Sequence, residues 1–211
     1  MTISTYTELK AAVESWLHRS NLTANVPDFI RLAESRLNRK LRLRAMVSME
    51  SLASVIGSRN VTIPAGFLEP LGLWITHETR QEPLRFVASE SLPYEIGNGE
   101  PKYWTIQGLN LAFERPADQV YTLTLRMYKS FNLSDASPTN WLLTNYPDIY
   151  LYGTLLEAAP FMRDKENIGM WKELLAAGLD ELIVADGRHK SLSTLSVEPM
   201  LAAMGSSILD G

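Results

Sequence analysis

The chain has 211 residues, of which 45% are hydrophobic and 21% charged. It is therefore long enough to bury a substantial core without disulfide bonds or structural metal ions. It contains no cysteine, which excludes disulfides, thiolate metal sites and a cysteine nucleophile. The formal net charge of −4 is uneven, because residues 1–46 carry eight Lys/Arg against four Asp/Glu, whereas residues 133–211 carry five against eleven.

Two helices are predicted in the first 45 residues. Thr5 and Glu8 have the spacing of a capping box, and an apolar stripe follows at steps of three and four. A second helix is expected to begin at Pro27, where a missing amide costs nothing in the first turn. The two stripes consist of Leu9, Ala12, Val13, Trp16 and Leu17, and of Phe29, Ile30, Ala33, Leu37 and Leu41.

Past Met46 the hydrophobic period changes from that of a helix to two, which is typical of strands. Glycine, proline and polar residues separate the segments, and their order along the chain predicts an antiparallel meander. A helical turn is expected within 89–96. The candidate strands are 60–64, 71–76, 83–87, 102–106, 109–113 and 121–128.

The helical period returns after Pro138. One helix is expected to start near Pro147 and a last one to run from roughly Glu166 to Arg188, with boundary errors of about 2–4 residues. From Ser191 onward the charge density falls while apolar residues persist, so we expect a tail that becomes ordered against a partner. Its apolar residues are Leu192, Leu195, Val197, Met200, Leu201, Met204 and Ile208.

These elements predict an α+β fold: a bundle of about four helices with an inserted antiparallel β-rich region and an extended C-terminal tail. We expect a single domain over 1–190, with helices at 5–45 and 140–189 and the β-rich insertion at 46–131, followed by a flexible tail at 191–211. No stretch approaches the roughly 20 apolar residues of a membrane span. The first residues do not resemble a signal peptide, which predicts synthesis in the cytoplasm.

The sequence offers few groups for catalysis. The three histidines, His18, His77 and His189, fall in separate elements and match no metal-ligand spacing, so structural or solvent-exposed roles are expected. The consensus patterns of a P-loop, a dinucleotide-binding loop and a hydrolase nucleophile elbow are all absent. We therefore predict no catalytic residue, no cofactor, no metal ion and no enzymatic activity.

One alternative is a cell-wall hydrolase, which would need two carboxyl groups flanking the scissile bond. Glu157 is the most interesting candidate, because it lies among leucines and alanines in a predicted helix. A bundle glutamate paired to an arginine is the simpler interpretation.

A basic segment on and just after the second helix is the strongest electrostatic feature. Such residues could neutralise a nucleic-acid backbone, which makes a DNA-binding protein a second alternative. Pairing with the acidic C-terminal helices or with an adjacent subunit is favoured, because the protein is acidic and no aromatic residues alternate with the basic ones. The segment consists of Arg31, Arg36, Arg39, Lys40, Arg42 and Arg44.

Two groups of residues resemble a known family, the head–tail adaptor proteins (connectors or tail accessory factors) of short-tailed bacteriophages. The first comprises Thr5–Lys10, Trp16–Ser20 and Val26–Arg42. The second is the long run Asn140–Phe161, which begins Asn-Trp-Leu-Leu-Thr-Asn-Tyr-Pro. With the insertion between them, the similarity covers about residues 5–190.

The resemblance implies a structural protein of the virion, located at the head–tail junction and present in the host cytoplasm during assembly. Such adaptors form a dodecameric ring beneath the portal protein, extend the DNA channel and provide a platform for the tail nozzle or other tail proteins. Genomic DNA would pass through during ejection without sequence-specific binding, and no membrane contact is implied. The predicted tail would bind the portal, and the basic segment would line either a subunit interface or the channel.

Overall fold

The computed structural model describes residues 3–18, 20–162 and 166–194. Contacts divide the chain into two compact units. We call Met1–Leu37 with Asn132–Gly211 the helical unit and Asn38–Phe131 the β unit. Helices and strands occupy different segments of the chain, so the predicted α+β class is confirmed.

The described residues form five α-helices. The predicted capping box is confirmed at the first of them, where Thr5 Oγ1 accepts a hydrogen bond from Glu8 N and the Glu8 carboxylate accepts one from Thr5 N. The last helix continues past the predicted end at Arg188, because neither glycine nor proline interrupts the following residues. The helices are α1 (Tyr6–Leu17), α2 (Val26–Lys40), α3 (Trp141–Asn145), α4 (Pro147–Met162) and α5 (Ile168–Thr194).

Helix α4 is central to the helical unit, where it contacts α1, α3 and α5. Its buried residues lie on all sides, which is typical of a helix surrounded by others. Gly153 of α4 lies close to both α2 and α5, since a Cβ atom there would lie 3.6 Å from Ala33 Cβ of α2 and 3.9 Å from Leu175 Cδ1 of α5. These are ordinary van der Waals distances, so an alanine would also fit at this position.

The β unit contains two sheets. Its strands are β1 (Val47–Ala53), β2 (Asn60–Thr62), β3 (Phe67–Thr76), β4 (Gln81–Pro83), β5 (Arg85–Phe86), β6 (Tyr103–Gln107), β7 (Asn110–Phe113) and β8 (Thr122–Lys129). In the first sheet the strand order is β1-β8-β3-β4 and all neighbours are antiparallel, whereas in the second the order is β2-β7-β6-β5 and the last pair is parallel. An apolar cluster of the unit includes Trp104, Phe113 and Leu123.

The predicted meander is wrong, because β8 lies between β1 and β3 and thus joins strands that are distant in sequence. Strand β1 was not predicted, since it has no buried side chain and includes Ser48, Glu50 and Ser51. It forms nonetheless, because all seven of its residues pair with β8. The expected strand 83–87 is divided between β4 and β5, and the expected turn in 89–96 is a short 3-10 helix at Ser89–Ser91.

Candidate functional site

Two arginines of the predicted basic segment form ion pairs with glutamates of the same chain. Arg36 Nε lies 2.7 Å from Glu157 Oε1, and Arg42 Nη2 lies 2.8 Å from Glu69 Oε1. Glu157 is mostly buried, with its side chain 14% exposed. The interpretation of Glu157 as a bundle glutamate paired to an arginine is therefore confirmed.

Arg42 also completes the C-terminal end of α2. Its Nη1 donates hydrogen bonds to the carbonyl oxygens of Asn38 (2.7 Å) and Leu41 (2.6 Å). The last carbonyls of a helix have no partner within the helix and carry partial negative charge, so a cation that bonds to them is stabilising. This arginine thus has a structural role.

The other four residues of the basic segment, Arg31, Arg39, Lys40 and Arg44, are exposed. Arg39 and Arg44 take part in further interactions. Arg31 lines a cleft of the helical unit. The segment is consequently not a uniform cationic face, and its assignment to a subunit interface or to a DNA channel stays a prediction.

A buried polar network in the helical unit was not anticipated from the sequence. Glu34 Oε1 of α2 accepts hydrogen bonds from Leu133 N (2.6 Å) and from the Tyr150 hydroxyl (2.9 Å). The Tyr150 oxygen accepts one from Asn140 Nδ2 (2.6 Å), and Asn140 Oδ1 caps α3 by accepting from Leu143 N (2.9 Å). The network fastens α2, α3, α4 and the segment that precedes α3 to one another.

Burial raises the pKa of Glu34 to about 7, because the charged carboxylate is poorly solvated, although the hydrogen bonds from Tyr150 and Leu133 oppose the rise. Burial and the nearby charge of Glu34 also raise the pKa of Tyr150. The sequence carried a signal for this site. Glu34 lies four residues after Ile30 and three before Leu37, which places a charged group on the apolar stripe of α2.

Glu34 borders a cleft of about 390 Å³ in the helical unit. A carboxyl group that titrates near neutral pH beside a cleft has a property of a general acid. Here, however, two donors of the same unit occupy its Oε1. At the cleft, Lys10 Nζ also lies 3.1 Å from Asp135 Oδ1. The arrangement serves to hold the helices together.

An exposed apolar stripe runs along α5. Met170, Leu174, Ala177 and Val184 are all exposed and recur at helical spacing, with Glu181 at the intervening step. The buried residues Trp171, Leu175 and Leu182 form the neighbouring stripe. One side of α5 therefore packs within the unit and the adjacent side presents apolar surface, which often marks a protein interface.

The β unit exposes apolar residues at its loops. Val55 and Ile56 follow β1, and Val120 precedes β8, each with about 60% of its surface exposed. The two segments are adjacent, because Ser54 N donates to Tyr121 O at 3.0 Å and Gly57 N to Ala117 O at 2.8 Å. Val55, Ile56 and Val120 are thus exposed apolar residues on adjacent segments of the β unit.

The predicted portal-binding tail lies almost entirely outside the described residues. Of its apolar residues, Leu192 belongs to α5. The other six, Leu195, Val197, Met200, Leu201, Met204 and Ile208, fall beyond residue 194.

The three histidines are distributed as the sequence predicted. His18 forms the left-handed C-cap of α1, with φ at 48°, and His189 lies in α5. His77 follows β3, and its Nε2 lies 3.5 Å from Glu100 Oε1. None of the described helices has the length and apolar character that crossing a lipid bilayer requires.

The model of the SU10 adaptor protein family matches residues 4–198 of the chain, a range that extends over most of both units. No curated protein matches the chain.

Proposed function

The chain belongs to the SU10 adaptor protein family, and from this membership we propose that twelve copies form a ring beneath the phage portal. The family indicates a structural bacteriophage protein, which makes the chain a component of the virion that contacts head and tail proteins. In the proposed assembly the ring extends the DNA channel and provides the attachment platform for tail proteins.

The family match carries the proposal, and the apolar stripe of α5 supports the contact between subunits that a ring requires. Leu174 and Val184 are 38% and 52% exposed although the same helix buries a full stripe against its own unit. Covering such residues would remove apolar surface from water, at about 25 cal/mol per Å². In a ring, a neighbouring subunit would cover these exposed apolar residues.

The basic N-terminal part and the acidic C-terminal part of the chain support a contact in which two different surfaces of neighbouring subunits meet. Such a contact closes into a ring when the rotation between subunits is appropriate. The acidic residues on the exposed surface of α5 include Glu173, Asp180 and Glu181. The exposed basic residues of α2 could attract them across a subunit boundary.

The test is to mix the full-length protein with the portal of the same phage and to examine the product by mass photometry and electron microscopy. We expect a discrete complex in which twelve copies lie against the portal. A protein that never associates with the portal would contradict the proposal.

A charge introduced into the α5 stripe tests the subunit contact. Leu174→Glu should leave the monomer folded, because the position is exposed, and should reduce ring formation on the portal at least tenfold. Ala176→Glu is the matched control, since Ala176 is exposed on another side of the same helix. Equal assembly of both variants would exclude the stripe as the contact.

Truncation after Thr194 tests the predicted tail without removing any part of α5. We expect an unchanged circular dichroism spectrum and a portal affinity reduced at least tenfold. If the affinity is unchanged, the apolar residues beyond 194 do not bind the portal.

The two alternatives have direct tests. A DNA-binding protein would shift DNA in a gel with a steep salt dependence and would lose binding in the variant with Arg39→Ala and Arg42→Ala. A cell-wall hydrolase would lyse its host wall and lose that activity on Glu157→Gln. We expect neither activity from the wild-type protein.

A further inference from the structure

We propose that His77, Glu82 and Glu100 of the β unit bind a Zn²⁺ ion. One nitrogen of the histidine and one carboxylate oxygen of each glutamate lie within 4.8 Å of one another. Donor atoms about 2.1 Å from a tetrahedral zinc ion are separated by roughly 3.4 Å. His77 Nε2 and Glu100 Oε1 are already 3.5 Å apart, so a modest side-chain rotation of the glutamates would complete the set.

The backbone holds all three residues in place. His77 follows β3, and its N donates to Arg80 O at 2.8 Å, which closes the turn between β3 and β4. Glu82 lies in β4 next to Ile75 of β3. Glu100 follows Gly99, whose N donates to Pro116 O at 2.9 Å. The three ligands therefore come from ordered segments, which reduces the entropy cost of binding an ion.

One ring nitrogen of His77 makes no hydrogen bond. Among the described residues, His77 Nε2 is buried without a hydrogen-bond partner, although Glu100 Oε1 lies 3.5 Å away. A buried polar atom of this kind is costly, and native structures rarely leave one unpaired. A protonated histidine would be expected to donate a hydrogen bond to Glu100, whereas a neutral one can direct its Nε2 lone pair at a metal ion.

Negative charge accumulates around the same position. The pKa of Tyr121 is raised by burial, by its hydrogen bond to Asp118 and by the negative charges of Asp118 and Glu100. Both carboxylates are therefore near the Tyr121 hydroxyl. Arg80 Nη2 lies 2.5 Å from Glu82 Oε1, but the arginine side chain is 70% exposed. An exposed pair of this kind contributes little and can yield to a cation that binds more strongly.

The ligand set selects the class of ion. Histidine nitrogen with carboxylate oxygen suits Zn²⁺ and leaves a fourth position for water, whereas Ca²⁺ and Mg²⁺ prefer sites made wholly of oxygen. A bound ion would tie the β3–β4 turn to the segment that precedes β6. The three ligands belong to the β unit, whereas the apolar stripe of α5 belongs to the helical unit.

The experiment uses the untagged full-length protein after removal of metals by chelation. Isothermal titration with ZnCl₂ should give one site per chain with a micromolar Kd, and CoCl₂ should produce the visible absorption bands of a tetrahedral complex. His77→Gln and Glu100→Gln should each weaken binding at least tenfold and abolish the bands. Glu78→Gln, which changes an exposed glutamate of the same turn, is the matched control and should bind as the wild type does.

Absence of a one-to-one zinc site in the wild type would overturn the proposal. So would full binding by both ligand variants with unchanged circular dichroism, since the ion would then bind elsewhere. Equal affinity for Ca²⁺ would also contradict it, because a purely acidic surface rather than the histidine site would be responsible.

Discussion

Each unit of this protein buries a glutamate, but different groups surround the two carboxylates. In the β unit Glu114 is fully buried, accepts hydrogen bonds from Lys102 N (2.8 Å) and Tyr103 N (3.0 Å), and has Arg115 Nε at 3.5 Å. In the helical unit Glu34 receives one backbone amide and the hydroxyl of Tyr150. Glu114 thus has two backbone amides and an arginine as partners, whereas burial raises the pKa of Glu34 to about 7. The comparison identifies Glu34 as a pH-sensitive group of the helical unit.

The largest effect should follow removal of the β-unit glutamate. Glu114→Ala leaves two backbone amides without their acceptor in a fully buried position and removes one of the two carboxylates beside Arg115, which keeps its ion pair with Glu95. We expect a loss of about 4 kcal/mol of stability, measured by urea denaturation. Hydrogen exchange should show lost protection at β6 and β7 while the helices stay protected. Equal loss in both units would instead indicate that the chain unfolds as one domain.

The second largest effect is a change in the stability of the helical unit with pH. Because the pKa of Glu34 in the folded protein lies above its ordinary value of 4.5, folding favours the protonated form. The associated stability is fully present below about pH 4.5 and is lost as the pH rises through about 7. The rise corresponds to about 3 kcal/mol, at 1.36 kcal/mol per pKa unit.

Glu34→Gln should remove this dependence, because glutamine retains an acceptor oxygen and does not ionise. The variant should therefore be more stable than the wild type at pH 8, by up to about 3 kcal/mol, and similar to it near pH 5. Urea denaturation of both proteins across this range is the measurement, with Glu181→Gln on the exposed surface of α5 as the control. A constant difference between wild type and Glu34→Gln at all pH values would show that Glu34 does not titrate in this range.

The smallest effect on stability is expected for the ion pair between Arg36 and Glu157, which is more exposed than the two buried glutamates. Arg36 is 44% exposed and its partner Glu157 is 14% exposed. A double-mutant cycle with Arg36→Gln and Glu157→Gln should give a coupling energy of about 1 kcal/mol, reduced by salt. A coupling near zero would mean that the contact contributes nothing and that Glu157 is stabilised by other groups.

Local patterns predicted most of the helical unit. The capping box at Thr5 and Glu8 was identified correctly, and so were the stripes of α1 and α2 apart from Trp16, which is exposed. Each of these features depends on residues within one or two turns. The end of α5 was predicted too early, at Arg188 rather than at Thr194, because neither glycine nor proline occurs between these residues to mark a helix end. Glu34 could have been recognised as a charged group on an apolar stripe, but its partner Tyr150 could not, because that residue lies on another helix.

The β unit was harder to predict. Strand β1 has no buried side chain, so the alternation that reveals a half-buried strand is absent. The order β1-β8-β3-β4 depends on pairing between opposite ends of the insertion. The group formed by His77, Glu82 and Glu100 likewise combines a strand end, an edge strand and a loop. No spacing rule along the chain describes such a group.

By itself the sequence determined the four longer helices but not α3, together with the α+β class and the similarity to phage adaptors. Hydrophobic periodicity and capping are properties of neighbouring residues, so they can be read without the fold. The tertiary structure alone decided the order of the strands, the glutamates that are buried and the apolar stripe of α5 that stays uncovered. Burial and pairing depend on groups that are distant in the chain, and only the folded backbone brings those groups together.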